Sequence, residues 1–328
     1  MRHIPFGFMN KSTPPIPIPF VATVNTITNF RTVSFPYISG ATYNGTIDWG
    51  DGTITPNSYA NRSHTYATNG NWTITINGQI GKFNSFSNQS NTLRDRCTSI
   101  LSFGNNFSFG IENTGGYFWA FNRLTSIASD IPIAGVTNMS YMFRSCERFN
   151  QDISSWDVSN VTNMSNMFEE AYIFNQNIGS WNVSNVTNMS SMFDTAQDFN
   201  QDISSWNVSN VIFMDGMFRS NSVFNQNISS WDVSNVIQMQ GVFAGPNSAF
   251  NQNIGSWNVS NVIDMSNMFQ SNNSLTTTNL NNIYNGWSAL PSLQNFVTFN
   301  AVPCYTATAG RAILTGTYGW NITDGGVC

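Results

Sequence analysis

Charge is what this sequence has least of. Asp, Glu, Lys and Arg make up only 9% of its 328 residues, against about 25% in an average soluble domain. The surface must therefore be covered by Asn, Ser, Thr and Gln, and contacts made through it should depend little on salt. No Lys/Arg cluster occurs, and a net charge of −5 with a pI near 4.8 lacks the electrostatic footprint of a nucleic-acid binder. Nucleic acid is not an expected partner. No apolar run approaches the roughly 20 residues of a membrane-spanning helix, so no membrane span is expected. Cysteine is scarce, with four residues and no CxxC or Cys–His spacing suited to zinc. No metal or cofactor is expected. The opening MRHIPFGFMNKSTPPIPIPF also lacks the continuous apolar core of a signal peptide, because Pro and Gly interrupt it.

What is present is repetition. Trp156, Trp181, Trp206, Trp231 and Trp257 stand 25, 25, 25 and 26 residues apart. Phe149, Phe174, Phe199, Phe224 and Phe250 keep the same step, as do the MF or VF pairs ending at Phe143, Phe168, Phe193, Phe218, Phe243 and Phe269. The one extra residue falls in AGPNSA, where Gly245 and Pro246 suit a bulging turn. A period in the twenties means a solenoid, in which each coil buries its apolar face only against its neighbours. Within a coil, Trp156 and Val158 are two apart and share one face of an extended segment, which predicts a short strand. Val161, Met164, Met167 and Phe168 then follow at the spacing of a helical or 3₁₀ turn.

The repeat WDVSNVTNMSNMF with a following FNQ resembles the leucine-rich-repeat units of BspA-like surface proteins. That resemblance implies a leucine-rich-repeat-like solenoid, the role of a cell-surface adhesion or interaction module, and no established catalytic residues. Ahead of the repeats, VATVNTITNF, RTVSFPYI, TIDWGDGTIT and NWTITING alternate like antiparallel strands separated by Gly and Asn turns. TIDWGDGTITP with SHTYATNGNWTITI resembles a polycystic-kidney-disease (PKD)-type domain, which implies a spacer or weak binding module.

The expected architecture is therefore mainly β with short helices. An extended Pro-rich arm over 1–19 precedes a PKD-like β-sandwich over 20–91, a leucine-rich-repeat-like solenoid over 92–270 and a C-terminal helical cap over 271–328. Two divergent coils, marked by CTSI at Cys97 and LTSI at Leu124, open the solenoid, and NLNNIYNGWSAL and ATAGRAILTGTYGW are the cap's two helices.

Most eye-catching residues have structural readings. Asp48 and Asp51 are too few for calcium, so Asp51 is expected to bond its own turn and His64 to be a hydrogen-bonded sandwich residue. The Trp row alternates in phase with Val and Ile, which puts it in the core. The Asn column at 150, 175, 200, 225 and 251 is expected to satisfy the turns of successive coils. Cys97 and Cys146 read as small core residues, while Cys304 and Cys328 can pair if the compartment is oxidising. Asp152, Asp157, Glu169, Glu170, Asp194, Asp202, Asp232 and Asp264 are scattered through slots that other coils fill with Asn or Gln. That argues against a polysaccharide-acting enzyme, which gathers its acids in one groove. No catalytic residue is expected.

Two surfaces are candidates for contact. After each repeat's second valine, Thr162-Asn163 and Thr187-Asn188 give way to Ile212-Phe213, Ile237-Gln238 and Ile263-Asp264. These slots should point outward, so Ile212, Phe213, Ile237 and Ile263 form a candidate interface. The second is a polar ligand face at Asp157, Asn182, Asn207, Asp232 and Asn258. The expected partners are a protein or a second copy of the chain, with a host-surface glycan as the alternative. A protein of this kind needs export, so either the chain is trimmed or it reaches the outside in a virus particle. The expected location is a virion surface or an extracellular or cell surface.

Overall fold

The structure, a computed structural model, describes residues 17–84, 92–109 and 115–328. Most of the expected Pro-rich arm, residues 1–16, thus lies outside the described residues. The chain is mainly β with two short helices. Its N-terminal part holds β1 (Phe20–Thr26), β2 (Thr32–Ser34), β3 (Thr46–Asp48), β4 (Ile54–Pro56), β5 (Ser63–Thr65) and β6 (Gly70–Asn77). β1 shows the period of two at work: Phe20, Ala22 and Val24 are buried, and Val21, Thr23 and Asn25 are half-buried.

With β7 (Cys97–Ser102) and β8 (Ser126–Ile127), four of these strands make a sheet of order β4-β3-β6-β1-β7-β8, and β2 pairs with β5 apart from it. All pairings in the six-stranded sheet are antiparallel except β7–β8. The sheet therefore changes sense where the repeats begin. In the WGDG turn, Gly50 and Gly52 sit at φ +84° and +91°, a region open to glycine. Asp51 Oδ1 accepts the Thr53 N–H at 3.0 Å and its Oδ2 meets His64 Nε2 at 2.7 Å, while the His64 ring lies on Trp49.

Beyond β8 the 25-residue period becomes a spacing in space. Met164, Asn166, Phe168 and Glu170 donate their N–H groups to the carbonyls of Asn188, Ser190, Met192 and Asp194, at 2.8–2.9 Å. In the other direction Thr187 donates to Thr162, Ile212 to Thr187, Ile237 to Ile212 and Ile263 to Ile237. Each coil is thus bonded to both neighbours, which answers the backbone's demand for partners without long strands. Phe168, Phe193, Phe218 and Phe243 stack with centroids 5.7–5.9 Å apart.

The strand segment is not where the spacing of Trp156 and Val158 predicts it. That stretch lies outside any strand or bridge, between two turns, and the parallel bridges between coils run instead through Asn138, Asn163, Asn188, Phe213, Gln238 and Asp264. Nor does the following stretch form a helix. Asn166 and Glu170, like Ser191 and Thr195, have φ between +54° and +59°. These left-handed residues, four apart, break the segment into successive turns and keep alternate N–H groups aimed at the next coil.

The Trp residues lock the stack. Trp181, Trp206, Trp231 and Trp257 are at most 4% exposed, and each donates its indole N–H at 3.0–3.1 Å to an Ile carbonyl of the preceding coil. α1 (Thr277–Ser288) continues the pattern. Its buried Leu280, Ile283, Tyr284 and Trp287 form one face, and Trp287 donates to Ile254. Gly286 is obligatory there, because a Cβ would collide with the Gly255 backbone. β9 (Thr298–Asn300), which pairs in parallel with β10 (Asn321–Thr323), receives the Phe269 N–H on Asn300. α2 (Thr308–Gly316) packs on α1, and a Cys304–Cys328 disulfide ties the tail. Truncating one indole in the array removes both buried area and a buried hydrogen bond. Trp206→Ala is expected to cost about 3–5 kcal/mol in urea unfolding, and Trp156→Ala, at a half-exposed position, clearly less.

Candidate functional surface

The column of slots after the second valine is the first surface to consider. The inward neighbours Val211 and Met214 are fully buried, whereas Ile212, Phe213 and Ile237 are half-buried and Ile263 is 56% exposed. None of the four is enclosed by its own chain. Ile212 and Ile237, with Thr187, line one side of an open groove whose other side is Asn185, Asn210 and Asn235. Those asparagines are held in place, since the Nδ2 groups of Asn185, Asn210 and Asn235 donate at 2.7 Å to Ser159, Ser184 and Ser209 carbonyls. Phe213 sits on the bridge column and does not line the groove.

The polar face is more self-contained. Asp157, Asn182, Asn207, Asp232 and Asn258 are all exposed and lie in one row along the stack. Each uses Oδ1 to accept the N–H of the serine two residues on, at 3.0–3.2 Å. Their first role is to hold a turn. The adjoining Ser180, Ser205, Ser230 and Ser256 donate to the preceding coil's carbonyls. The Asn column from Asn150 to Asn251 is exposed or half-buried and is structural in the same way: Asn175 accepts the Asn200 N–H at 3.1 Å and the Gln201 amide at 2.8 Å, and the pattern repeats along the array.

Two features escaped the sequence reading. One slot holds Arg144, Glu169, Asp194 and Arg219, 25 residues apart, and the structure pairs Arg144 with Glu169 at 2.9 Å and Arg219 with Asp194. The period itself marks this ion column. Beside it, Gly216 and Gly241 stand where other coils have Asn166, Ser191 and Asn267, leaving a small notch bordered by Asp215 and Gln240. Asp215 is held above the usual carboxylate range by burial.

The fifth indole departs from the row. Trp156 is half-buried and lines a hollow with Asp152, Asp157, Ile131 and Ile133. Burial pushes the Cys97 thiol up to about 12 and the Cys146 thiol higher still, as befits core residues. Among the described residues no cluster of three or more His, Cys, Asp or Glu could hold a metal ion, and no helix is long and apolar enough to cross a membrane.

The geometry defines a repeat protein, mainly β, whose 25-residue units bond to their neighbours along one axis. Two overlapping stretches, 116–222 and 202–298, match the family described as Mycoplasma protein of unknown function, DUF285. Together they span more than half of the chain, which belongs to that family. It is a repeat family related to the BspA-like repeat proteins. Neither a curated protein nor a solved structure matches the chain.

The turn-holding aspartates make a pH prediction. Hydrogen bonds from the serine two residues on lower the pKa of Asp152, Asp157, Asp202 and Asp232. Their unfolded value is about 3.9, so their contribution is complete above it and is lost as pH falls through the lower folded values. Glu169 and Asp215, raised by burial, act in the opposite direction. Replacing the four aspartates by Asn, which holds the same slots at Asn177, Asn182, Asn207, Asn227, Asn253 and Asn258, is expected to flatten the acid limb below about pH 4. Thermal melts across pH check this.

Proposed function

We propose that this chain is a non-enzymatic recognition protein carried on a virion or cell surface, and that it engages a protein partner or a second copy of itself along the stack. In this reading residues 92–270 are a leucine-rich-repeat-like solenoid, 20–91 a PKD-like sandwich serving as its base, and 271–328 the cap that closes its core. The observation that carries it is the groove of Thr187, Ile212 and Ile237 opposite Asn185, Asn210 and Asn235. Isoleucine in place of threonine adds apolar area at slots that stay partly open to solvent, and apolar side chains aligned on a surface are where partners bind. The disulfide at Cys304–Cys328 suits an oxidising location.

A glycan-binding adhesin is the second reading, favoured by the hollow at Trp156. A photo-cross-linking residue at position 237 separates the two. In its source material the protein is expected to give one cross-linked species at fixed stoichiometry from position 237, and none from position 197. No product from 237, or a smear of unrelated ones, ends the first reading. A glycan array tests the second.

A further inference from the structure

Four indoles of the array are bolted into the core, and the reason Trp156 is not lies in its neighbour. Trp181 finds the Ile153 carbonyl one coil back. One coil before Trp156 the chain runs ASDIPIAG, whose Pro132 and lost register supply no such carbonyl, and the Trp156 N–H has no acceptor among the described residues. The ring packs against the edge of the core, with Phe143 at 5.8 Å between ring centroids. Its remaining surface faces a hollow of about 260 Å³, below the range of pockets that take drug-sized ligands.

The walls of that hollow are of two kinds. Trp156, Ile131, Ile133 and Ala128 are apolar, and Asp152, Asp157, Ser129 and Ser155 are polar. Gln151 stiffens the floor, because its amide both donates to and accepts from the Ile127 backbone at 2.8 and 2.6 Å. Each aspartate has one oxygen pinned by a serine N–H, at 2.9 Å for Asp152 and 3.0 Å for Asp157, so both carboxylates are preorganised yet exposed. An indole face beside fixed acceptors and an unused N–H donor complements a molecule with one C–H face and a rim of hydroxyls. Two carboxylates repel an anion. A quaternary ammonium ion calls for several ring faces, and Trp156 is the one aromatic residue lining the hollow.

We infer that this hollow is a subsite for one neutral hexose ring, such as the terminal residue of a glycan. It lies apart from the isoleucine groove and deepens the second reading of the function. The first reading stands or falls separately, by cross-linking at position 237.

The test uses the full chain and ligand-detected saturation-transfer NMR with D-glucose, D-galactose, D-mannose and N-acetylglucosamine, with glucuronate and tetramethylammonium as charged controls. At least one neutral sugar is expected to show transfer. The Asp152→Asn/Asp157→Asn double variant is expected to fold, because Asn177 and Asn182 hold the same turns one coil on. It is expected to bind about tenfold more weakly, the loss of a hydrogen bond to a charged group. Trp156→Phe, which keeps a ring and removes the N–H, should weaken binding as well. Silence from all four sugars, transfer unchanged in the double variant, or transfer to a charged control alone overturns the assignment.

Discussion

The structure depends on one requirement: every coil must hand its backbone hydrogen bonds to the coil on either side. No coil has strands long enough to satisfy itself. Alternate N–H groups from Met164 to Glu170 point forward and the Thr187 N–H points back, so slipping the register by one residue would turn donors toward solvent and carbonyls toward one another. The indole bonds from Trp181 to Trp257 repeat the demand in side-chain form. This is why the sequence is repeated almost verbatim: a hydrogen bond between equivalent atoms of successive units tolerates little variation in either.

How much of this was legible in the residues follows from the same requirement. The period, the buried Met and Phe columns and the turn-satisfying role of Asn175 and its equivalents are all consequences of spacing and could be read directly. The position of the bridging residues could not. Trp156 and Val158 show a two-residue alternation that an extended segment flanked by turns shares with a true strand, and only the bridges at Asn163 and Asn188 distinguish them. The left-handed turns at Glu170 and Thr195 were invisible because neither residue type announces positive φ. Ile212, Ile237 and Ile263 were found because they break a pattern. Trp156 was missed because it keeps the pattern, and what changes is the preceding unit.

That contrast says where recognition can arise in such a molecule. In a strict repeat, even exposed polar side chains are engaged by the stack: Asn185 by Ser159, Ser205 by Gly179, Asp232 by Ser234. Free binding capacity appears where the repetition lapses, either by substitution, as at Ile237, or by loss of the neighbour, as at Trp156. The few charges obey the same logic. Glu169 and Asp194 are buried and paired with Arg144 and Arg219 within their column, so this column adds little to the field outside.

A surface so poor in charge must select its partners at short range. Long-range attraction screened over about 8 Å at physiological ionic strength contributes little here. Discrimination then rests on shape, on apolar area at the isoleucine column and on hydrogen bonds whose donors and acceptors were fixed by folding. Such contacts are individually weak, but the stack presents its groove over successive coils at one spacing. A partner with the same spacing could engage several at once, gaining affinity by multiplicity where single contacts supply only specificity.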